Sequence, residues 1–290
     1  LHPIGGLAIL VRSVILGTTI QLQRSFQPET MAQALLSGSV TQASVVPAML
    51  DPLLDAIGGR VVPAALRFVL VGGAVATHEQ LARAQLAGLP VAPTYGMTET
   101  TSQMATAVPS LQAFRTGEVG MALDTTEIRL VDKQRQEISA GAGALEVRGP
   151  TVALGRLSTP GKMDALVDQD GWMPTMDAGI FDHAGVLQIL GRLDDVIVTG
   201  GENVSPGEVE AALMVHPEVA EVGVVGRKHA KWGMAVTAFV VPASATRPSL
   251  EELRAFAGKR LARYKLPQAL EYRESLPRTA AGKLQRHELR

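Results

Sequence analysis

Four short runs contain residue types that could bind a nucleotide and stabilise charge on phosphate. In YGMTETTSQ, Gly96 would let a ligand approach the backbone, the Thr98 hydroxyl can donate to a phosphate oxygen, and Glu99 offers a hard oxygen ligand to Mg2+. Tyr95 in the same run can stack on a purine. In GWMPTMDAG, Asp177 is either a turn former or a carboxylate able to bond both hydroxyls of a ribose. GRLDDVIVTGGENVSPGEVE crowds Arg192, the adjacent acids Asp194 and Asp195, and the pair Gly200–Gly201 together. A glycine turn and a helix cap would account for part of that run. PRTAAGKLQR presents Lys283 behind Ala-Ala-Gly. A solvated lysine is the ordinary outcome there; the functional one is a cation that enters a site and stabilises charge on a transferring phosphoryl group.

Periodicity predicts the elements that must carry these runs. Over residues 1–96, IGGLAILVRSVILG reads as a helix, TIQLQ as a strand, and PETMAQALLSG as a helix with proline in its first turn. VTQASVV is a strand, PAMLDPLLDAIGG a helix with an internal proline, LRFVLVGG a buried strand, THEQLARAQLAG a helix closed by glycine, and VAPTYG a strand. Such alternation predicts βαβ units on a largely parallel sheet, with ligands bound beyond the carboxyl ends of the strands, where VGGA and YGMTE both fall. Residues 119–190 change to short strands, TEIRLVD, GALEVRG, AGIFDHAG and VLQILG, as in a small antiparallel sheet or barrel. SPGEVEAALMVH then predicts a helix with Ser205 as N-cap, Pro206 at N1 and Glu208 closing a capping box. VAEVGVVG and AVTAFVVP are strands, and SLEELRAFAGKRLARY is a second Ser-capped helix.

A chain of 290 residues suggests two domains, and 46% apolar with 19% charged residues suits a soluble globular protein. A net charge of −1 gives no long-range pull toward nucleic acid or anionic membrane. The absence of cysteine excludes disulfides, a thiolate nucleophile and cysteine metal ligands, so any thiol chemistry must use a thiol brought by a substrate. The six histidines show no HxxxH spacing. No stretch reaches the roughly 18 uninterrupted apolar residues of a membrane span, and no signal-peptide pattern opens the chain, so a cytoplasmic enzyme is expected. Positive charge gathers late, in Lys259, Arg260, Arg263, Lys265, Arg273, Arg278, Lys283, Arg286 and Arg290. It reads as a solvated helical face or as local attraction for a phosphorylated ligand.

The four runs, in this order and at these intervals, resemble the acyl-adenylate-forming superfamily of acyl-CoA synthetases, firefly luciferases and peptide-synthetase adenylation domains. HPIGGLAILVRSVILG, VVPAML, LPVAPTYGMTETTSQMAT, KHAKWG and LARYKLPQAL are most similar to its o-succinylbenzoate–CoA ligase branch, which serves menaquinone and phylloquinone synthesis. The resemblance implies an α/β fold: the later part of a large N-terminal region, with an α/β subdomain at 1–118 and a small β subdomain at 119–191. A mobile α+β domain at 192–290 would follow, hinged at Asp194. It also implies that a small carboxylic acid attacks the α-phosphate of ATP, with Mg2+, to give an acyl-adenylate and pyrophosphate. The CoA thiol then displaces AMP. Carried over residue by residue, Gly72, Gly73 and Ala74 would bracket the adenine with Tyr95 and Gly96. Thr98 would bind the α-phosphate, Glu99 the Mg2+, and Asp177 and Arg192 the ribose. Lys283 would contact the carboxylate and α-phosphate in the first step alone, and Gly200 and Gly201 would line the tunnel through which pantetheine arrives.

Two departures stand out. Thr175-Met176-Asp177 replaces the usual Thr-Gly-Asp. The Gly/Ser/Thr-rich phosphate loop of the superfamily would lie upstream of these 290 residues, so the chain as given is expected not to bind ATP productively. Arg12, in an apolar helical run, would pair with the ring carboxylate of o-succinylbenzoate, or else be a structural ion pair or a snorkelling side chain. His2 resembles the family's histidine upstream of GGL but is displaced by one position. The alternatives are a broader acyl- or aryl-CoA synthetase for a monocarboxylate, with Arg12 structural, and a non-catalytic truncated product.

Overall fold

The computed structural model describes residues 4–110, 112–159, 161–278 and 284–290. The chain divides into two units, Leu1–Thr175 with Gly179–Ile189, and Met176–Ala178 with Leu190–Arg290.

In the first unit, the alternating pattern produces α1 (Ile4–Leu16), α2 (Pro28–Leu36), β1 (Gln42–Val45), α3 (Pro47–Ile57), β2 (Phe68–Val71), α4 (His78–Leu86) and β3 (Val91–Met97). β1, β2 and β3 are parallel, joined by the crossover helices α3 and α4. Leu50, Leu53 and Ile57 of α3 and Leu81 of α4 are buried with Val69, Val71 and Val91 of the strands. Thr77 and Gln80 close a capping box at the start of α4. TIQLQ forms no strand: residues 18–23 are irregular and Leu22 is 64% exposed, because an alternating run is a strand only where a neighbour completes its ladder. α1 forms as expected, but Val14, Ile15 and Leu16 are largely exposed.

The following strands are β4 (Ser102–Thr106), β5 (Glu118–Ala122), β6 (Glu127–Val131), β7 (Gly143–Arg148), the separate hairpin β8 (Gly155–Thr159) and β9 (Lys162–Ala165), β10 (Met173–Phe181) and β11 (Leu187–Arg192). The parallel and antiparallel parts merge into one nine-stranded sheet, ordered β1, β2, β3, β4, β5, β11, β10, β7, β6. The α/β class expected from the sequence is the one observed.

Beside this sheet, Arg129 and Arg148 lie 4.1 and 4.6 Å from the Trp172 ring. Glu146, 2% exposed, receives Arg135 at 2.6 Å and Arg129 at 2.7 Å. Burial pushes the Glu146 carboxyl pKa up, but the two guanidiniums outweigh it and hold the value below the ordinary carboxylate range. Glu146→Gln is expected to lose about 2 kcal/mol at neutral pH. The ionised carboxylate stabilises fully above its unfolded pKa and ceases to do so as pH falls through its lower folded pKa. The gap between wild type and variant, measured by urea denaturation at a series of pH values, therefore closes in acid.

The second unit contains β12 (Ile197–Thr199), β13 (Glu202–Val204), α5 (Pro206–Met214), β14 (Val219–His229), β15 (Gly233–Pro242), α6 (Leu250–Ala257) and β16 (Ala269–Tyr272). The long β14–β15 hairpin is its spine, with β12 antiparallel and β16 parallel to β15. Ser249 caps α6 through a capping box, as the sequence predicts. The box predicted for α5 does not form. The Ser205 hydroxyl instead donates to the Leu190 carbonyl at 2.6 Å, and Glu208 turns to Lys265 at 2.6 Å. The late positive charge is not one helical face: α6 ends before Lys259, and Lys265, Arg273, Arg278, Arg286 and Arg290 are each paired with a carboxylate.

Candidate active site

In the first unit, the carboxyl ends of β2 and β3 place two expected groups side by side. The loop Gly72–Ala74 leaves β2 with Gly72 against β3: a Cβ at Gly72 would come 2.7 Å from Thr94 Cγ2. Gly73 is left-handed at φ +82°. Next along β3, Tyr95 is half-buried against the apolar clusters that include Ala105 and Met104. Gly96 proves necessary for a reason the sequence does not state. An added Cβ would fall 1.5 Å from the Ser102 carbonyl oxygen, so the chain's own β4 makes the close approach.

β3 runs into a single 3-10 turn, Thr98–Thr100, with Thr101 and Ser102 left-handed behind it at φ 55° and 100°. Thr98 is exposed, and its hydroxyl makes no hydrogen bond among the described residues. The turn is fastened to the loop before β8: Ala153 N donates to the Glu99 carbonyl at 2.7 Å, and the Thr101 hydroxyl donates to the Thr151 carbonyl at 2.9 Å. Arg156 adds an ion pair to Glu99 Oε1 at 2.8 Å, a contact the sequence reading missed. Among the described residues no three His, Asp or Glu side chains converge as a metal site. Mg2+ is commonly held by one or two carboxylates together with substrate phosphate oxygens. The Glu99 carboxylate keeps Oε2 outside its pair with Arg156.

Arg12 is exposed, donates to the Ala8 carbonyl at 3.1 Å and to Gln103 Oε1, and forms no ion pair among the described residues. Gln103 in turn donates to the hydroxyls of Thr94 at 3.2 Å and Thr106 at 3.0 Å. Gln103 thus links Arg12 to the β3–β4 pair. It lies in the run already singled out for Thr98 and Glu99, but an uncharged amide there gives no separate sequence signal.

In the second unit, Asp177 lies inside β10, not in a turn before it, and is 8% exposed. Arg192 reaches it at 3.6 Å and grips Asp194 with two bonds, Nε–Oδ1 at 3.0 Å and Nη2–Oδ2 at 3.3 Å. This fork holds the Asp194 carboxyl below its ordinary pKa. Met176, where the superfamily has glycine, adopts φ 64°. Its carbonyl accepts from Leu193 N at 2.9 Å, so the left-handed residue is built into the pairing beside Asp177. Met176→Gly is expected to relieve backbone strain and raise stability by about 1 kcal/mol, less the small entropy that glycine adds to the unfolded chain, as read by thermal denaturation.

Gly200 and Gly201, at φ 58° and 89°, form the two-residue loop between β12 and β13. Two successive left-handed residues are what a type I′ hairpin demands. A Cβ at Gly200 would approach the Trp232 ring at 3.2 Å, whereas one at Gly201 would meet nothing within 4 Å. Asp195, beside the expected hinge, is bound by Arg286 and Arg290 from the chain's last turn. His2 and Lys283 lie outside the described residues.

The profile of the AMP-binding enzyme family matches residues 1–157, and that of the AMP-binding enzyme C-terminal domain matches residues 208–283. The 2-succinylbenzoate–CoA ligase of Geobacillus kaustophilus is 40% identical over 290 residues, 100% of this chain and 59% of the relative. The enzyme of that name from Bacillus licheniformis is also 40% identical, over 291 residues and 59% of its length. Among solved structures, o-succinylbenzoate CoA synthetase from Bacillus subtilis in complex with the acyl-adenylate intermediate OSB-AMP is 35% identical with a TM-score of 0.88, over 99% of this chain and 58% of that one. ATP-bound MatB from Rhodopseudomonas palustris is 29% identical with a TM-score of 0.83, over 96% and 55%. The chain therefore spans about 59% of the length of the curated relatives it matches.

Proposed function

This chain belongs to the AMP-binding enzyme family, and from that premise we propose that it is the greater part of an ATP-dependent acid–CoA ligase acting on o-succinylbenzoate. One observation carries the reading. The loop Gly72–Ala74 and the segment Tyr95–Glu99 converge at the carboxyl ends of adjacent parallel strands, where nucleotides bind in open α/β sheets.

The roles follow from the groups present. Gly72–Ala74 and Tyr95 hold the adenine, and the exposed Thr98 hydroxyl donates to the α-phosphate. Asp177 and Arg192 take the ribose hydroxyls, the carboxylate accepting and the guanidinium donating. Glu99 would hold Mg2+, which when bound neutralises phosphate charge. Lys283 donates to the acid's carboxylate and the α-phosphate as the acyl–phosphate bond forms and pyrophosphate leaves. In the second step the CoA sulfur bonds to the acyl carbon and AMP departs with the electrons of the acyl–oxygen bond. Asp194 is the pivot between steps, residues 192–290 move about it, and the Gly200–Gly201 turn admits pantetheine. A cytoplasmic location accords with the use of ATP and CoA.

A second reading, a broader acid–CoA ligase, is favoured by the engagement of Arg12 with Gln103 and with its own helix. One assay separates the two. The chain is joined behind the upstream segment of the Geobacillus kaustophilus relative and given ATP, Mg2+, CoA and o-succinylbenzoate, and acyl-CoA is detected by mass spectrometry. Product well above that from benzoate is expected. Preference for benzoate would move the substrate to the broader class, and silence on every acid would remove the ligase reading.

A further inference from the structure

The reading above gives a task to Asp194 but none to Asp195, whose carboxylate is 19% exposed. Two arginines converge on it from the end of the chain: Arg290 at 2.7 Å and Arg286 at 3.2 Å. Arg290 also donates to the backbone carbonyl of Asp194 at 3.1 Å. Arg286 is forked onto Glu210 of α5 as well, through Nη2 at 2.5 Å and Nε at 3.1 Å. Glu210 Oε1 accepts in addition from Val224 N in β14 at 2.8 Å.

Apolar contacts hold the same tail to the sheet. Leu289 is buried with Val225, Phe239 and Leu276, and Leu284 packs against them. Gly223 leaves room for this, since a Cβ there would come 3.0 Å from Leu289 and 3.1 Å from Leu284. On the other side of residues 279–283, Arg278 pairs with Glu221 of β14 at 2.7 Å and forms a bridge with Leu284. Arg278 and Leu284 are therefore both anchored to the sheet. Leucine packing and Glu210 fasten the tail to the sheet. What Asp195 adds is different in kind: through Arg290 and Arg286 it ties the tail to the backbone directly after Asp194.

We propose that Asp195 is a positioning residue, a latch that makes residues 284–290 follow the pivot segment at 194–195. The functional half of this inference, correct placement of Lys283 for the adenylation step, rests on the acid–CoA ligase reading.

Hydrogen exchange on the chain itself tests the latch. The reporting amides are Gln285, Glu288 and Leu289 in the tail, bonded to the carbonyls of Pro277, Gln285 and Arg286, and Asp195 N, bonded to the Arg192 carbonyl. Asp195→Asn is expected to raise exchange about tenfold or more in peptides covering both regions, since hydrogen bonds to charged groups are the strong ones. The β14–β15 peptides should be unchanged, and Asp195→Glu should restore most of the protection. Arg290→Ala perturbs from the tail end without touching the pivot sequence, and must raise exchange around residue 195. If its effect stays confined to the tail, the latch is overturned.

In the chain joined to the upstream segment, Asp195→Asn should lower kcat of pyrophosphate exchange about tenfold, with KM for ATP unchanged. Thioester formation from supplied acyl-adenylate should be unaffected. Equal losses in both half-reactions would make Asp195 a stabilising residue alone and overturn the positioning role. A wild-type protein silent on every acid would remove the ligase reading, while the exchange result on the chain alone would still decide the latch.

Discussion

A Gly96→Ala chain is expected to lose about 3 kcal/mol of stability, seen as a lower midpoint in denaturant. The ideal Cβ would sit 1.5 Å from Ser102 O, 2.5 Å from its carbonyl carbon and 2.8 Å from Gln103 Cα. All three are backbone atoms, so no rotamer change relieves the clash. The turn that would have to move already holds Thr101 and Ser102 in left-handed conformations and is stapled to the loop before β8 by Ala153 and Thr101. Gly201→Ala is the control: at φ 89° with nothing within 4 Å, it carries only conformational strain, about 1 kcal/mol. If Gly96→Ala instead folded with wild-type stability and lost only nucleotide affinity, the glycine would be there for the ligand, as the sequence alone suggests.

That difference marks where the sequence is legible. Period and composition located α2 through β3 because each apolar face has a partner: α3 and α4 bury Leu50, Leu53 and Leu81 against β1–β3. TIQLQ had the right alternation and no neighbouring ladder, which is a property of the rest of the chain and not of those five residues. Ser205 carried a proper capping sequence, yet the Leu190 carbonyl, 15 residues earlier, captured its hydroxyl. Local pattern cannot report a distant partner that turns the same side chain away from the helix end.

Among the candidate site residues, motif spacing marked Thr98 and Glu99 on a turn, Arg192 at a strand end and Asp177 inside a strand. It was silent on Arg156 and Gln103, which reach Glu99 and Arg12 across 57 and 91 positions. Asp195 was visible as half of a carboxylate pair. Its partners were visible only as part of a late run of positive charge, and folding neutralises much of that run.

Lys283→Ala should slow adenylation by about 10^2- to 10^3-fold, the loss typical of removing one preorganised donor from developing charge. Conversion of supplied acyl-adenylate to thioester should stay within about twofold of wild type, because on this reading residues 192–290 turn about Asp194 after the first step and carry the lysine away from the acyl-adenylate, so only the first transition state loses its donor. The measurement is pyrophosphate exchange set beside single-turnover thioester formation, in the chain joined to the upstream segment. Equal losses in both would assign Lys283 to the fold or to CoA, and no loss in either would remove it from the chemistry. The same variant bears on Asp195. If Asp195 acts on adenylation by placing Lys283, then Asp195→Asn on the Lys283→Ala background should lower adenylation little further, since two changes on one route do not add. Independent losses that multiply would mean that the tail reaches the reacting atoms through some group other than its lysine.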